Sequence, residues 1–488
     1  VSATFTPTPE QEIAVAAAQR GGDLKIKAYA GAGKTSTLKL VADRFAGRRG
    51  MYLAFNRDIA AAAARKFPAH VLSRTMHAHA WAAASPALKR RGALEAEPPH
   101  MLASRFGIGP VEVRSVTGRA VELTPFETGR MIADALGRFC RSADLQPEME
   151  HIVADEKIDI ADAARLRNWL LPHVRRLWGE SAASGAGGAV SPDVVLKLWA
   201  LSAPHIDADF ILFDEAQDSD GVMLSVLARQ RHAQVIYVGD PYQQIYEWRG
   251  AVNAMARIDA PECALTESFR FGPTFAALAS RLLGQLGERT PLRGQDAIGS
   301  ILVEDPAIAP PVDAVLCRKN VTAIWQLAVG LESGHRPAIR MSPAEITAFA
   351  DGADQLLAGQ RAFRPAAFSL FENWSEAQAF ARTPFGQDLL PVVQIVDEVG
   401  TGYLRALAQQ CAPERNADYM ISTVHRAKGL EWKRVRVAND FRFRGADGSP
   451  FPDEDEMRLL YVAVTRAQHV LDISSMRDEL LRLVARGR

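Results

Sequence analysis

A glycine turn set between a strand pattern and a helix pattern constrains this chain more than any other stretch. Within Leu24–Phe45 (LKIKAYAGAGKTSTLKLVADRF), Leu24, Ile26 and Ala28 alternate with Lys25, Lys27 and Tyr29, which predicts a strand. Apolar residues at Leu38, Val41 and Phe45 then predict a helix. The residues between, Ala30-Gly31-Ala32-Gly33-Lys34-Thr35-Ser36, have the form of a P-loop in the strand–turn–helix setting that such a loop requires. Glycines let the backbone wrap a phosphate, and the N–H groups at the helix start point at it with the helix dipole behind them. Lys34 is placed to reach the β- and γ-phosphates and Thr35 to hold Mg2+, so ATP and Mg2+ are the expected cofactors. The full string GxxxxGK[ST] would put glycine at position 28; Ala28 stands there, and Gly31 and Gly33 carry the turn. A plain glycine turn ahead of a basic helix is the alternative.

A chain of 488 residues is too long for one ordinary core and predicts two to four domains. Its 57 basic and 57 acidic residues balance, which argues against a polycation that coats nucleic acid but leaves room for a local basic groove. Cys140, Cys263, Cys317 and Cys411 are far apart without CxxC spacing, so neither a zinc site nor a disulfide framework is expected. The start has no basic segment ahead of an apolar one, and no apolar run is long enough to span a bilayer. A cytoplasmic protein without membrane contact is expected.

Further strand patterns fall at Met51–Phe55, Asp209–Phe213, Gln234–Val238, Asp313–Leu316, Tyr419–Thr423, Arg434–Ala438 and His469–Ile473. A capped helix is expected to open at Thr6–Gln11, and others over Asn56–Phe67 and from Ser73. From Ala82 to about Val190 the pattern is mostly helical, with Ser181–Gly188 (SAASGAGG) reading as a flexible linker, and Pro343–Arg415 is helical again. Strands alternating with helices predict parallel sheets that bind ligands at their carboxyl ends. The fold expected is therefore α/β, with two sheet units each interrupted by a helical insertion.

Two strings carry the chemistry. In ILFDEAQD, a strand runs straight into Asp214 and Glu215. In a chain with a P-loop, Asp214 would hold Mg2+ and Glu215 would orient and deprotonate the attacking water. An acidic helix cap is the alternative. GDPYQQIYEWRGA (Gly239–Ala251) gathers two glutamines, three aromatics and an arginine. Gln243 is a candidate γ-phosphate sensor, and Tyr246 and Trp248, beside Arg249, are candidates for stacking on bases, worth roughly 1–3 kcal/mol per base. Packing in the core is the competing reading for Tyr246.

The strings AYAGAGKTSTL, LAFNRDIAAAA, LKLWALS, VGDPYQQIYEWRGAVNA, SFRFG and STVHRAKGLEW together resemble the superfamily 1 DNA helicases of the UvrD/Rep/PcrA type, and more particularly their F-box DNA helicase branch. Matching motifs run from Gln11 to Gln468, in order. The resemblance implies two RecA-like P-loop cores with nucleotide in the cleft between them. The first core would take residues 1–85 and 191–272 with a helical insertion at 86–190. The second would take 273–340 and 416–488 with a smaller insertion at 341–415. It implies that Gln11 reads the adenine, that Phe55 with the adjacent Asn56, and Thr75 and His77, contact single-stranded DNA, and that Gly239, Asp240 and Gln243 couple nucleotide to DNA. It further implies that Arg270 reaches the γ-phosphate, that Thr423, His425, Lys428, Gly429 and Glu431 belong to the motif that makes DNA and ribose contacts, and that Arg466 is an arginine finger.

No F-box is visible, so recruitment through a ubiquitin ligase is not implied. Phe441, Phe443 and Phe451 stand where such helicases carry a strand-separating hairpin, and a plain loop is the alternative there. Single-stranded DNA and single-strand/duplex junctions are the expected partners of a monomer, in DNA repair or recombination. Polarity, 3′ to 5′, comes from the resemblance alone. Three activities stay open: a helicase, a translocase that strips proteins such as recombinase filaments, and a nucleotide-gated DNA-binding subunit of a larger repair or anti-phage complex.

Overall fold

The computed structural model describes residues 6–54, 56–94, 97–116, 118, 120–155, 158–183, 187–245, 254–362, 364–368, 371–382, 389–445, 449 and 451–485. The chain divides into two compact units, one of Val1–Ala28 and Lys34–Leu265, the other of Tyr29–Gly33 and Thr266–Arg488.

The first unit opens with the helix Pro9–Gln19, whose Thr8 and Gln11 close a reciprocal capping box. Its strands are β1 (Leu24–Ala28), β2 (Gly50–Ala54), β3 (Val71–Thr75), β4 (Val111–Arg114), β5 (Ala120–Leu123), β6 (Phe210–Phe213), β7 (Gln234–Gly239) and β8 (Glu262–Leu265). Six of them form a parallel sheet in the order β3-β2-β6-β7-β1-β8. Every residue of β2 and β6 is buried, as a parallel sheet covered on both faces demands. The insertion has its own core, in which Leu102, Ile132, Leu166, Leu170 and Val174 pack together. The long helix Pro125–Arg141 joins that core to the sheet: Ile132 and Ala135 face the insertion, while Leu136, Phe139 and Cys140 pack with β2, β6 and β7.

The second unit continues with β9 (Ile301–Val303), β10 (Ala314–Cys317), β11 (Ala338–Ile339), β12 (Met420–Thr423), β13 (Trp432–Val437) and β14 (Ala467–Asp472). These form a second parallel sheet, ordered β11-β12-β10-β13-β14-β9. Its insertion contributes the helices Pro343–Leu357, Trp374–Ala381, Leu390–Val399 and Thr401–Gln410. Phe349, Phe368, Trp374, Val392 and Leu404 share one core with Val315, Cys317 and Ile421 of the sheet. The two parallel sheets flanked by helices match the α/β expectation.

Three local expectations need correction. The helix expected from Ser73 starts at Met76, because Ser73–Thr75 pairs with β2 as the end of β3. The region 82–190, read as mostly helical, contains the antiparallel hairpin β4–β5. Val111/Val113 and Val121/Leu123 alternate with polar residues there, a period-2 signal only four residues long. The strands β8, β9 and β11 escaped notice because each is short and lies at a sheet edge.

Candidate functional site

In the first unit the candidate side chains leave the sheet at its carboxyl end. Lys34 and Thr35 begin the helix Lys34–Arg44 that follows β1, Asp214 and Glu215 follow β6, and Asp240 and Gln243 follow β7. Because β7 lies between β6 and β1, the three turns are neighbours. The Thr35 hydroxyl donates to Asp214 Oδ2 at 3.4 Å. Lys34 Nζ lies 3.3 Å from Glu215 Oε1. From β2, on the other side of β6, the buried Tyr52 hydroxyl donates to the same Asp214 Oδ2 at 2.5 Å.

The electrostatics follow from burial. Desolvation pushes the Asp214 carboxyl up to about 6 and the Glu215 charge adds to it, while Lys34 and the Tyr52 hydrogen bond pull it back. For Lys34, burial opposes the ammonium, but Glu215, Asp240 and Asp214 outweigh it and hold its pKa above the ordinary lysine value. Burial, then the Asp214 charge, keeps the Tyr52 phenol protonated far above its usual range, so its hydroxyl stays available to donate to Asp214.

Glu215 takes a left-handed backbone conformation (φ 54°, ψ 42°). That costs a non-glycine residue about 1–3 kcal/mol, and its own N–H is tied to Asp214 Oδ1 at 2.9 Å. The fully buried Gln217 spans the next gap. Its Nε2 donates to Glu215 Oε2 at 2.5 Å, and its Oε1 accepts the Asp240 N–H at 3.0 Å. Gln243 Nε2 then donates to Asp240 Oδ2 at 2.7 Å. A continuous hydrogen-bonded line therefore runs from the acidic pair to Gln243.

The donor set suits a hard cation: a hydroxyl and a carboxylate converge, both oxygen ligands. Among the described residues no group of three or more His, Cys, Asp or Glu side chains is placed to hold a metal. A Mg2+ at Thr35 and Asp214 would therefore take most of its ligands from phosphate and water, as this ion prefers.

In the second unit, Tyr29–Gly33 is held by hydrogen bonds. Tyr29 Oη donates to the Thr290 carbonyl at 3.1 Å, the buried Ala30 N–H donates to Tyr461 Oη at 3.1 Å, and the Gly31 carbonyl accepts the Phe269 N–H at 2.9 Å. Gly31 sits at φ +74°, and a Cβ there would lie 2.4 Å from Ser268 Oγ and 2.8 Å from Arg270 Cβ. Glycine is thus required twice over, by backbone and by space. Arg270 Nε donates to Glu431 Oε2 at 2.6 Å and its Nη1 to the Thr465 carbonyl at 2.8 Å. Arg466 is buried, with its guanidinium bonded to the Val462 and Leu430 carbonyls at 3.0 and 3.2 Å.

The remaining candidates hold structural bonds. Gln11 is buried; its Oε1 caps Thr8 N and its Nε2 donates to Thr37 Oγ1 at 3.1 Å. Ala32 is buried and Ser36 exposed. Asn56 and Thr75 cap the helices Arg57–Lys66 and Met76–Ala83 through their side chains. His77 Nε2 lies 3.1 Å from Asp193 Oδ1, whose other oxygen takes Arg141 at 2.8 Å. Thr423 is buried at the start of the short helix that carries His425. Phe55, Tyr246, Trp248 and Arg249 lie outside the described residues, as do parts of 441–451. In the described part of 441–451 there is no strand, and Phe441 is buried.

Tyr52, Gln217 and Tyr461 went unassigned in the sequence. Tyr52 had a signal: a tyrosine in an otherwise apolar strand must find a partner for its hydroxyl when buried. Gln217 sits inside DEAQD, but which group it bridges depends on β7 lying beside β6.

Comparison with known proteins agrees with these two sheets. Residues 198–258 match the UvrD/REP helicase N-terminal domain, and residues 404–478 match the UvrD-like helicase C-terminal domain. The chain is 28% identical, over 513 aligned positions, to the F-box DNA helicase 1 of Gallus gallus, covering 95% of this chain and 48% of that protein. It is 29% identical to the F-box DNA helicase protein 1 of Schizosaccharomyces pombe, covering 98% of this chain and 58% of that protein. The chain thus spans about half the length of the curated relatives it matches. Among the described residues no helix is long and apolar enough to cross a membrane.

Proposed function

We propose, from the premise that the chain belongs to the UvrD/Rep-like helicases of superfamily 1, that it is an ATP-driven motor acting on single-stranded DNA. The observation that carries this reading is the line from Lys34 and Asp214 through Glu215 and Gln217 to Gln243. It links a phosphate-binding helix start to the loop that precedes Tyr246 and Trp248. Ala30 to Ser36 cradle the phosphates, Lys34 gives up Glu215 to a γ-phosphate, and Glu215 then accepts a proton from water. Mg2+ held by Thr35 and Asp214 would neutralise phosphate charge. Gln11 is the adenine reader, and Arg270, Glu431 and Arg466 contribute to nucleotide binding, with the two arginines stabilising charge on the transferred group. Phe55, Asn56, Thr75, His77, Tyr246, Trp248, Arg249, Thr423 and His425 form the DNA contact set.

The test is ATP hydrolysis with and without oligonucleotide, and unwinding of duplexes with 3′ or 5′ tails. Turnover stimulated by single strands and unwinding from a 3′ tail are expected, in a repair or recombination setting. A protein-stripping translocase is the second reading, supported by the burial of Phe441, one of the aromatic candidates for separating strands. Strong DNA-stimulated turnover with feeble unwinding would favour it. Negligible turnover in isolation would point instead to a nucleotide-gated subunit.

Tyr52 supplies a separate check on the Mg2+ assignment. Tyr52→Phe deletes one buried donor from Asp214 and should cost about 1–3 kcal/mol of stability. Loss of an orienting hydrogen bond to a metal ligand typically weakens metal binding about 10–100-fold. The Mg2+ concentration for half-maximal ATP turnover is therefore expected to rise by at least about tenfold; an unchanged Mg2+ requirement would remove Asp214 as the ligand.

A further inference from the structure

Between the core of the first sheet and the core of its insertion lies a cavity of about 910 Å3, and none of the candidate nucleotide or DNA residues lines it. Cavities of roughly 300–1,000 Å3 at such junctions are where small molecules bind. Leu136, Val190 and Val194 reach it from the sheet core, Leu102 from the insertion core, and Leu177 packs against both. Gly137 helps to keep it open. It sits inside the helix Pro125–Arg141, where glycine is a poorer helix former than any residue but proline. A Cβ there would meet nothing closer than Arg141 Nη1 at 3.4 Å, an ordinary contact, so packing does not demand glycine. What the missing side chain leaves is space in the cavity wall.

The polar groups of this cavity are unevenly matched. Arg91 is 7% exposed, and its guanidinium donates to carbonyls: Gly188 at 2.7 Å, Ser181 at 3.0 Å, Ala183 at 2.9 Å and Glu180 at 3.0 Å. Among the described residues it meets no carboxylate. Arg141 Nη1 donates to Asp193 Oδ2 at 2.8 Å, and Arg141 Nε has no hydrogen-bond partner among the described residues. A guanidinium carries five N–H donors, so Arg141 has donors to spare. Asp193 is itself shared, with its other oxygen 3.1 Å from His77 Nε2. The remaining wall carboxylates are engaged: Glu97 takes Arg105 at 2.9 Å, and Glu180 takes Arg105 and Arg176. A buried guanidinium met by carbonyls and a second one underused, set against aliphatic walls, suit one anionic group on an apolar body. Glu97, Glu180 and Asp193 on the same walls oppose a second negative charge.

We propose that this cavity binds a compact organic monoanion, with an aryl or short acyl body against Leu136, Leu177 and Val194 and a single carboxylate or sulfonate end on Arg141. The site is separate from the ATP and DNA residues proposed above, so either assignment can fail alone. The probe is 1-anilinonaphthalene-8-sulfonate, whose fluorescence rises on leaving water, titrated into the full chain. N-phenyl-1-naphthylamine, the same rings without the sulfonate, is titrated beside it. One saturable equivalent of the sulfonate is expected, with the uncharged probe at least about tenfold weaker for want of a charge-assisted hydrogen bond. Arg141→Gln should bring the two affinities together. Gly137→Leu and Ala133→Trp fill the cavity from one face of the helix Pro125–Arg141, and each should abolish the saturable binding. Ala133 is exposed, and Gly137→Leu exchanges glycine for a better helix former, so the thermal midpoint of Gly137→Leu should not fall.

Sulfonate binding that persists unchanged in both filled variants overturns the assignment, and so does the absence of a saturable equivalent in the wild-type chain. Stoichiometric displacement of the probe by ATP overturns it in favour of the P-loop. An uncharged probe that binds as tightly as the sulfonate removes the anionic end and with it the assignment. Should one filled variant melt early, the other decides, and the comparison of the two probes in Arg141→Gln is independent of both.

Discussion

Lys34→Ala is expected to lower ATP turnover by at least about 10²–10³-fold, the usual cost of deleting one preorganised charged donor at a transferring group. The same change has a consequence without nucleotide. Lys34 is the cation against Asp214 and Glu215, and its removal leaves two adjacent carboxylates inside a buried pocket. The Asp214 carboxyl already sits at about 6, above its ordinary value of 3.8. Between those values the folded chain holds more protons than the unfolded one, so this group makes stability fall as pH rises through that window. Without Lys34 the window extends upward. A loss of ~1–2 kcal/mol, a few degrees in Tm for a unit of this size, is therefore expected near pH 8, with a smaller loss at pH 5. ATP assays and thermal melts at the two pH values check both halves. Normal turnover in the variant would sink the assignment of the loop.

Glu215→Gln separates chemistry from binding. The amide keeps the size of the side chain and can occupy the same left-handed backbone position, but it cannot take a proton from water. Removing a general base typically costs about 10²–10⁴-fold in rate, and a kcat reduction in that range is expected. ATP affinity should stay level or rise, because the nucleotide no longer competes with Glu215 for Lys34. Affinity for single-stranded DNA should persist. Equilibrium binding of ATP and oligonucleotide, measured beside single-turnover hydrolysis, decides the matter. A variant that hydrolyses ATP normally would move the base elsewhere, and one that fails to bind ATP would make Glu215 a structural anchor instead.

Much of this site was legible along the chain because its parts are local. A phosphate loop is made from consecutive residues, with glycines at the two positive-φ positions, Gly31 and Gly33, and a lysine at the helix start. Asp214 and Glu215 are neighbours in sequence, and Gln243 follows a glycine–aspartate pair at a strand end. Interior strands with apolar alternation or continuous apolar runs, such as β1, β6, β7 and β10, were also readable, whereas the edge strands β3, β8, β9 and β11 were not. The hairpin β4–β5 was hidden within a region whose composition is helical on average.

The sequence by itself determined which residues can meet a phosphate and which carboxylates can follow a buried strand, since turn geometry and strand periodicity act over a few residues. The tertiary structure alone decided who holds them. Tyr52 reaches Asp214 across 162 positions because β2 lies beside β6. Gln217 reaches the Asp240 amide because β7 lies on the other side of β6. Asp440 closes the second sheet's helix start from 121 or more positions away because β13 pairs with β10. A buried polar group must find a partner, and in a parallel sheet that partner comes from whichever strand is adjacent, an order that periodicity along the chain does not encode.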